Sequence, residues 1–360
     1  MTATQEPSMP GPARSRPLTI AQLAELAGVS TATVSKVVNG RAEVAPETRA
    51  HIESLIRAHG YRRQRKRAHP APLIELVFSE LDGGYAVEII RGVERVAHEN
   101  HLAVVLTELH GRHTPDGNWV EDVLRRRPTG VIAVFSRLTD AQRERLDTRG
   151  IPFVLLDPSG DPGHQAPSVG ASNWSGGLTA TRHLLELGHR RIAVITGPRH
   201  TLSSRARLDG YRTALDTAGV PIDPALIREG DFHVESGLAQ ARRLLRLPDP
   251  PTAIFSANDL QAVGVYQAAH DAGLRIPQDL SVVGFDDLPH VRWLIPPLTT
   301  VRQPLTAMAS TAATMVLQLA RDEPPAQSRV ELATELVVRG STAPPPPPPK
   351  SRKFRKTSRT

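Results

Sequence analysis

Two short stretches of this 360-residue chain carry side chains whose types and spacing suit one kind of chemistry. Thr31, Ala32, Ser35 and Lys36 combine small hydroxyls, a methyl and one amine at spacings that share a helix face, a set suited to the edges of bases. Downstream, Arg62-Arg63-Gln64-Arg65-Lys66-Arg67 holds five positive charges in six residues, enough to follow a phosphate backbone or enter a narrow minor groove. Both kinds of contact are non-covalent. The absence of cysteine excludes disulfides, thiol catalysis and cysteine-ligated metals. His98-Glu99-Asn100-His101 sets its histidines three apart, unlike the spacing of zinc proteases, and reads as a solvated helix end. There is no glycine-rich phosphate loop of standard spacing and no nucleophile elbow. No enzyme activity, cofactor or metal is expected.

The elements that must position these groups are legible around them. Thr19 is suited to cap a helix in which Ile20, Leu23, Ala24 and Ala27 recur at i, i+3, i+4, i+7, and Gly28 ends it. Ser30 caps a second helix with Val34, Val37 and Val38 inward, which leaves Thr31, Ala32, Ser35 and Lys36 outward; Asn39-Gly40 closes it. Pro46 and Glu47 open a third helix with Ile52, Leu55 and Ile56 on its core face and Gly60 as its stop. Two helices joined by a tight glycine turn form a helix-turn-helix. Charge follows the same division. Residues 1–68 carry 11 Lys/Arg against 5 Asp/Glu, residues 343–360 carry 6 basic and no acidic residues, and the whole chain is only +7. The middle is therefore mildly acidic, and the positive ends are where contact with an anionic partner is expected.

The wording AGVSTATVSKVVNG, followed by VAPETR and HGY, resembles the start of the lactose-repressor (LacI/GalR) family of bacterial transcription regulators. The resemblance implies that Thr31, Ala32 and Lys36 read bases, and that Ser30, Thr33 and Ser35 meet phosphates. Thr19, Asn39, Tyr61, Arg62, Arg63, Arg65, Lys66 and Arg67 complete the expected DNA-binding set. The chain departs from the family just after Tyr61. Arg63 and Gln64 stand where a Pro-Asn pair is usual, and Pro70 falls where a leucine wedges into the minor groove. The kink that such a wedge produces is not expected here, and whether a hinge helix forms is open.

From Leu73 short apolar runs alternate with amphipathic stretches. Strands are expected at 73–78, 103–108, 130–135, 153–157, 191–196, 252–257 and 280–287, with helices including 86–99, 175–188 and 235–245. That is too many strands for one comfortable sheet, so two doubly wound lobes with a cleft between them are expected. EIIRGVE, RARLDGYRTAL, FSANDLQAVG, SVVGFDD and ELVVRGST extend the resemblance over roughly 18–342. It implies an all-α helix-turn-helix head followed by a two-lobed α/β, doubly wound, periplasmic-binding-protein-like (type I) effector domain. The expected organisation is a disordered extension at 1–17, a head at 18–61, a basic linker at 62–72 and a body at 73–342. Within the body, one lobe covers about 73–173 and 301–322, and the other about 174–300 and 323–342. A disordered Pro-rich basic tail is expected at 343–360. Crossings between lobes are expected near 172–174, 300–302 and 321–325.

Matching motifs carries over the effector residues. Arg207 is implied as a clamp for hydroxyls or a carboxylate, Asn258 and Asp286 as a hydroxyl-binding pair, and Phe232 as the ring against a pyranose. Tyr85 and Trp293 are further candidates, and Asn173 sits at a lobe boundary. Asn258-Asp259 also suits a helix cap, and Asp286-Asp287 a turn. What the resemblance implies is a homodimeric repressor, released from palindromic double-stranded DNA by a sugar or sugar-derived effector. With neither a signal peptide nor a membrane span in the sequence, a cytoplasmic, nucleoid-associated location is expected. A transport solute receptor and a transcriptional activator are the alternatives.

Overall fold

The computed structural model describes residues 19–38, 44–58, 70–81, 83–109, 119–134, 138–159 and 166–346. The chain divides into a unit at 1–69 and a unit at 70–360. The first contains α1 (Ile20–Ala27), α2 (Thr31–Val38) and α3 (Pro46–Ala58). Thr19 and Gln22 make a reciprocal capping box that satisfies backbone N–H groups at the start of α1. Gly28 ends that helix at φ 64°, a left-handed conformation that favours glycine. Ser30 then starts α2, its hydroxyl accepting from the Thr33 N–H at 3.1 Å. Leu23, Val34 and Ile52, one from each helix, are fully buried together, and Val37 and Val44 close the small core around them.

The second unit is two lobes. The N-lobe runs β1 (Ala71–Phe78), α4 (Gly83–Glu99), β2 (Ala103–Glu108), α5 (Trp119–Arg126), β3 (Pro128–Val134), α6 (Asp140–Thr148), β4 (Phe153–Leu156) and β5 (Ser168–Ala171). The C-lobe follows with α7 (Asn173–Glu186), β6 (Ile192–Thr196), α8 (Leu202–Thr217), β7 (Ile227–Glu229), α9 (Val234–Leu245), β8 (Ala253–Ser256), α10 (Asp259–Asp271), β9 (Ser281–Asp286) and β10 (Thr299–Arg302). The chain then returns to the N-lobe as α11 (Leu305–Ala320) and β11 (Arg329–Leu332), and finishes in the C-lobe as β12 (Glu335–Val337). The two sheets are ordered β11-β5-β4-β3-β1-β2 and β12-β10-β9-β8-β6-β7. All pairings are parallel except β10 with β12. Helices cover both faces: α4 and α11 against α5 and α6 in one lobe, α7 and α8 against α9 and α10 in the other. That double covering explains why the central strands read as unbroken apolar runs.

Four boundaries differ from the sequence expectation. Val301 and Arg302, expected in the N-lobe, belong to β10 beside β9 in the C-lobe sheet, so the second crossing is at 303–304 and not 300–302. Pro72, assigned to the linker, lies inside β1; its missing N–H falls in the irregular stretch before the ladder with β2 begins at Leu73, where proline is tolerated. The third crossing is at 333–334, not 321–325, because β11 first extends the N-lobe sheet beside β5. Residues 329–332 therefore belong with the N-lobe. Ala343, expected in the tail, is held on the C-lobe, where its carbonyl meets His189 Nε2 at 2.9 Å and Ser281 Oγ at 3.0 Å.

Candidate functional site

Both sheets end their fourth strand with an aspartate at the cleft between the lobes. Asp157 follows β4 at φ 48° and Asp286 closes β9 at φ 118°, both in backbone that side-chain-bearing residues rarely adopt. Each is about 5 % exposed, and the Tyr85 hydroxyl, from the start of α4, donates to Asp157 Oδ2 at 3.1 Å. On the other side, Gln303 donates to Asp286 Oδ1 at 2.6 Å from the segment that crosses between lobes.

Arg207, buried on α8, stands among these acids. Its Nε donates to Asn173 Oδ1 at 2.8 Å and its Nη1 to the Ala257 carbonyl at 2.5 Å. The guanidinium lies 3.7 Å above the Phe285 ring and 5.8 Å from the Phe232 ring. Asp286 Oδ1 is 3.9 Å away, close enough for charge attraction but not for a hydrogen bond. Gly177 explains how α8 comes so close to α7, since a Cβ there would sit 2.2 Å from the Arg207 carbonyl oxygen.

Burial sets the electrostatics. It pushes the Asp286 carboxyl up to about 7, against the opposing pull of Arg207 and the Gln303 hydrogen bond. Asp157 is raised for the same reason and pulled back by the same arginine, and Tyr85 is raised by burial and then by the Asp157 charge. Asp259, wholly buried at the start of α10, is a strut: it accepts from Thr300 Oγ1 at 2.6 Å and from the Leu288 N–H at 2.8 Å. Asp286 and Gln303 also line a cavity of about 340 Å³ that reaches from Asp287, Arg292 and Arg302 across to Glu88 and Thr306.

The structure therefore brings Arg207, Asp286 and Tyr85 into one cluster, with Phe232 flanking it. The Phe232 ring lies on the Gly197 backbone, where any Cβ would collide with it. Asn258, whose motif implies hydroxyl binding, is also tied into the scaffold. Its Oδ1 caps α10 by accepting from the Gln261 N–H at 3.0 Å, and its Nδ2 donates to the Phe232 carbonyl at 2.8 Å. Both polar atoms help to place Phe232 and α10, and each keeps a further hydrogen or lone pair. Trp293 is 79 % exposed on the 289–293 turn, which buries Val291 and so directs the indole outward; it is not part of the cluster. Asp157, Gln303 and Phe285 were not singled out in the sequence. The usable signal for Asp157 was a carboxylate at the end of a buried apolar run, FVLLD.

In the head, Thr31 and Ala32 are exposed at the start of α2, whereas Thr33, Ser35 and Lys36 are half-buried. The Ser30 hydroxyl also pairs with Thr33 Oγ1 at 2.8 Å, so both hydroxyls are engaged in starting the helix. Asn39, Tyr61, Arg62, Arg63, Arg65, Lys66 and Arg67 lie outside the described residues. Among the described residues no group of three or more His, Cys, Asp or Glu is arranged to hold a metal ion, and no helix is long and apolar enough to cross a membrane.

Comparison with known proteins places this geometry. The model of bacterial regulatory proteins of the lacI family matches residues 19–64, and that of the periplasmic binding protein-like domain matches 181–342. The ribose operon repressor of Escherichia coli K12 is 32 % identical over 90 % of this chain and 99 % of its own length. The transcriptional repressor PurR of Haemophilus influenzae is 31 % identical over 90 % and 98 %. Among solved structures, a complex of the transcriptional regulator CelR with cellobiose aligns at TM-score 0.69 and 34 % identity, covering 91 % of this chain and all of that one. The lac repressor dimer bound to operator and the anti-inducer ONPF aligns at TM-score 0.67 and 31 % identity, again over 91 % of this chain and all of that one. The match thus runs through head and body alike, and the chain belongs to the LacI family of bacterial regulatory proteins.

Proposed function

We propose that this protein is a dimeric cytoplasmic repressor that holds a palindromic operator through its head and releases it when a saccharide occupies the cleft. The observation that carries the reading is the cluster of Asp157, Arg207 and Asp286, two acids and a fixed guanidinium at the mouths of two facing sheets. A carboxylate accepts a hydrogen bond from one hydroxyl while a guanidinium donates one to its neighbour, which is the pattern a vicinal diol satisfies. The relatives are transcriptional regulators, one solved in complex with cellobiose and one as a dimer bound to operator. In a dimer, two α2 helices one DNA turn apart would read the two half-sites, and a saccharide that favours one arrangement of the lobes would shift the operator equilibrium.

The direct test is operator binding by the full chain, with saccharides added to the bound complex. Release by a saccharide supports the reading; an operator complex indifferent to every saccharide that binds the protein overturns it. Within the head, Thr31, Ala32 and Lys36 are assigned to base edges, and Ser30, Thr33 and Ser35 to phosphates. Lys36→Ala is expected to cost about 1–3 kcal/mol and to relax preference at one base pair. Unchanged preference across a set of operator variants would remove Lys36 from the base-reading set.

A further inference from the structure

We infer that the cleft selects a neutral or amine-bearing saccharide rich in hydrogen-bond donors, and rejects the phosphorylated and carboxylated forms of the same sugar. The inference rests on the saccharide reading above and narrows it. It follows from which atoms the protein has left unmatched. Arg207 has committed its Nε hydrogen to Asn173 and one Nη1 hydrogen to the Ala257 carbonyl, so the second Nη1 hydrogen and the two on Nη2 are what remain to meet a ligand. Among the described residues no donor reaches Asp286 Oδ2 or Asp157 Oδ1, while the other oxygen of each acid is held by Gln303 or Tyr85. Gln303 Oε1 is a further buried acceptor without a partner. The unmatched atoms of the two acids and of Gln303 are thus all acceptors.

Charge points the same way. Two buried carboxyls share Arg207, burial resists their ionisation, and the other arginines of the adjoining cavity, Arg292 and Arg302, are paired with Asp287. A ligand phosphate or carboxylate would add a negative charge beside two carboxyls that already share Arg207, and that one guanidinium could not offset all three. A ligand ammonium in place of a hydroxyl keeps its size and supplies more donors. The arginine, which by type alone suits a carboxylate, is here fixed as part of the wall by its stacking on Phe285 at 3.7 Å.

The test uses the full chain at pH 7.5 and a panel of neutral aldopentoses, aldohexoses and disaccharides, screened by thermal shift and then titrated by calorimetry. For each binder, the uronic acid, the terminal phosphate and the 2-amino-2-deoxy sugar are titrated beside it. The uronic acid, nearly isosteric with the parent, is expected to bind about a hundredfold more weakly, the size of one repulsive charge contact a few ångströms away. The amino sugar is expected to bind at least as well as the parent. Asp157→Asn, which removes one charge at constant size, is expected to narrow the gap between parent and uronic acid at least tenfold. A uronic acid or phosphate that binds as tightly as its parent overturns the charge selection and leaves the saccharide reading standing. A panel in which no sugar of either charge binds, with operator binding intact, overturns the saccharide reading and this inference with it.

Discussion

The two lobes share a strand order and set an acid at the same topological position, yet they partner that acid differently. In each, the helix after the first strand reaches the fourth strand's aspartate. From α4 the N-lobe sends Tyr85, which donates to Asp157 at 3.1 Å; from α8 the C-lobe sends Arg207, 3.9 Å from Asp286. A phenol leaves its carboxylate's charge in place, whereas a guanidinium offsets it. The comparison teaches that topology fixes where the acids converge, at the carboxyl ends of the strands. Which partner each helix contributes then fixes the charge a ligand meets.

Arg207→Ala breaks this asymmetry most severely. It removes the cation between two buried acids and uncovers Asn173 and the Ala257 carbonyl, and breaking a buried pair in this way costs about 3–5 kcal/mol. The expected result is a lower melting temperature and no heat of saccharide binding, with operator DNA still bound by the folded fraction. Saccharide-dependent release in this variant would show that the cation is dispensable and the asymmetry incidental.

Replacing the acids one at a time sharpens the comparison. Asp286→Asn and Asp157→Asn each take a charge-assisted hydrogen bond from the ligand, a loss of about 1–3 kcal/mol in saccharide affinity. The larger loss is expected at Asp286, the acid nearer the guanidinium. Neither variant should melt lower than the parent at pH 8, since each removes a carboxyl that burial makes costly to ionise. A scaffold role predicts the reverse pattern, with lower melting and preserved affinity, so calorimetry beside a melting curve separates the two.

The contrast between lobes was only half visible in the sequence. The central strands were legible because both faces are covered, so their residues form unbroken apolar runs such as LIELVF and RIAVIT. The edge and crossing strands β5, β7, β10, β11 and β12 were not. They are three or four residues long, several are partly exposed, and they are strands because a neighbouring strand offers a ladder. In the site, Arg207, Asp286 and Phe232 stood in long motifs, but the motif could not say that Asn258 also bonds the Phe232 carbonyl besides capping α10. Asp157 escaped notice because its importance lies in what faces it across the cleft, which no local pattern records. Trp293 shows the opposite error, a ring of suitable type that its turn directs into solvent.

Acidity gives a milder way to compare the lobes. Asp286 titrates near 7 without ligand, in the field of Arg207, Asp157, Asp259 and Tyr85 and beside the Gln303 amide. Its folded value lies above its unfolded value, so the stability it contributes is full below about pH 4 and is lost as pH rises through 7. A saccharide hydroxyl that donates to the carboxylate favours the ionised form, so binding releases a proton. Affinity is then expected to fall by up to about tenfold per unit below pH 7 and to level off above it. Asp286→Asn should flatten this profile, and an affinity that rises on acidification would mean that the protonated acid donates to the ligand instead.

Tyr85→Phe should have the smallest effect, and it asks whether the N-lobe's neutral partner matters at all. The substitution keeps the ring and removes the one hydroxyl that reaches Asp157, so Oδ2 of a buried acid loses its donor. A single hydrogen bond of this kind contributes about 0.5–1.5 kcal/mol. Because that bond favours ionised Asp157, its loss raises a carboxyl that burial has already raised. The variant is expected to bind its saccharide a few-fold more weakly at neutral pH, with the deficit shrinking as pH rises and Asp157 ionises regardless. Operator affinity should be unchanged. If the deficit is the same at pH 6 and pH 8, the phenol acts as a contact surface for the ligand and not through the Asp157 charge, and the partnering of acid by helix in the two lobes has no electrostatic meaning.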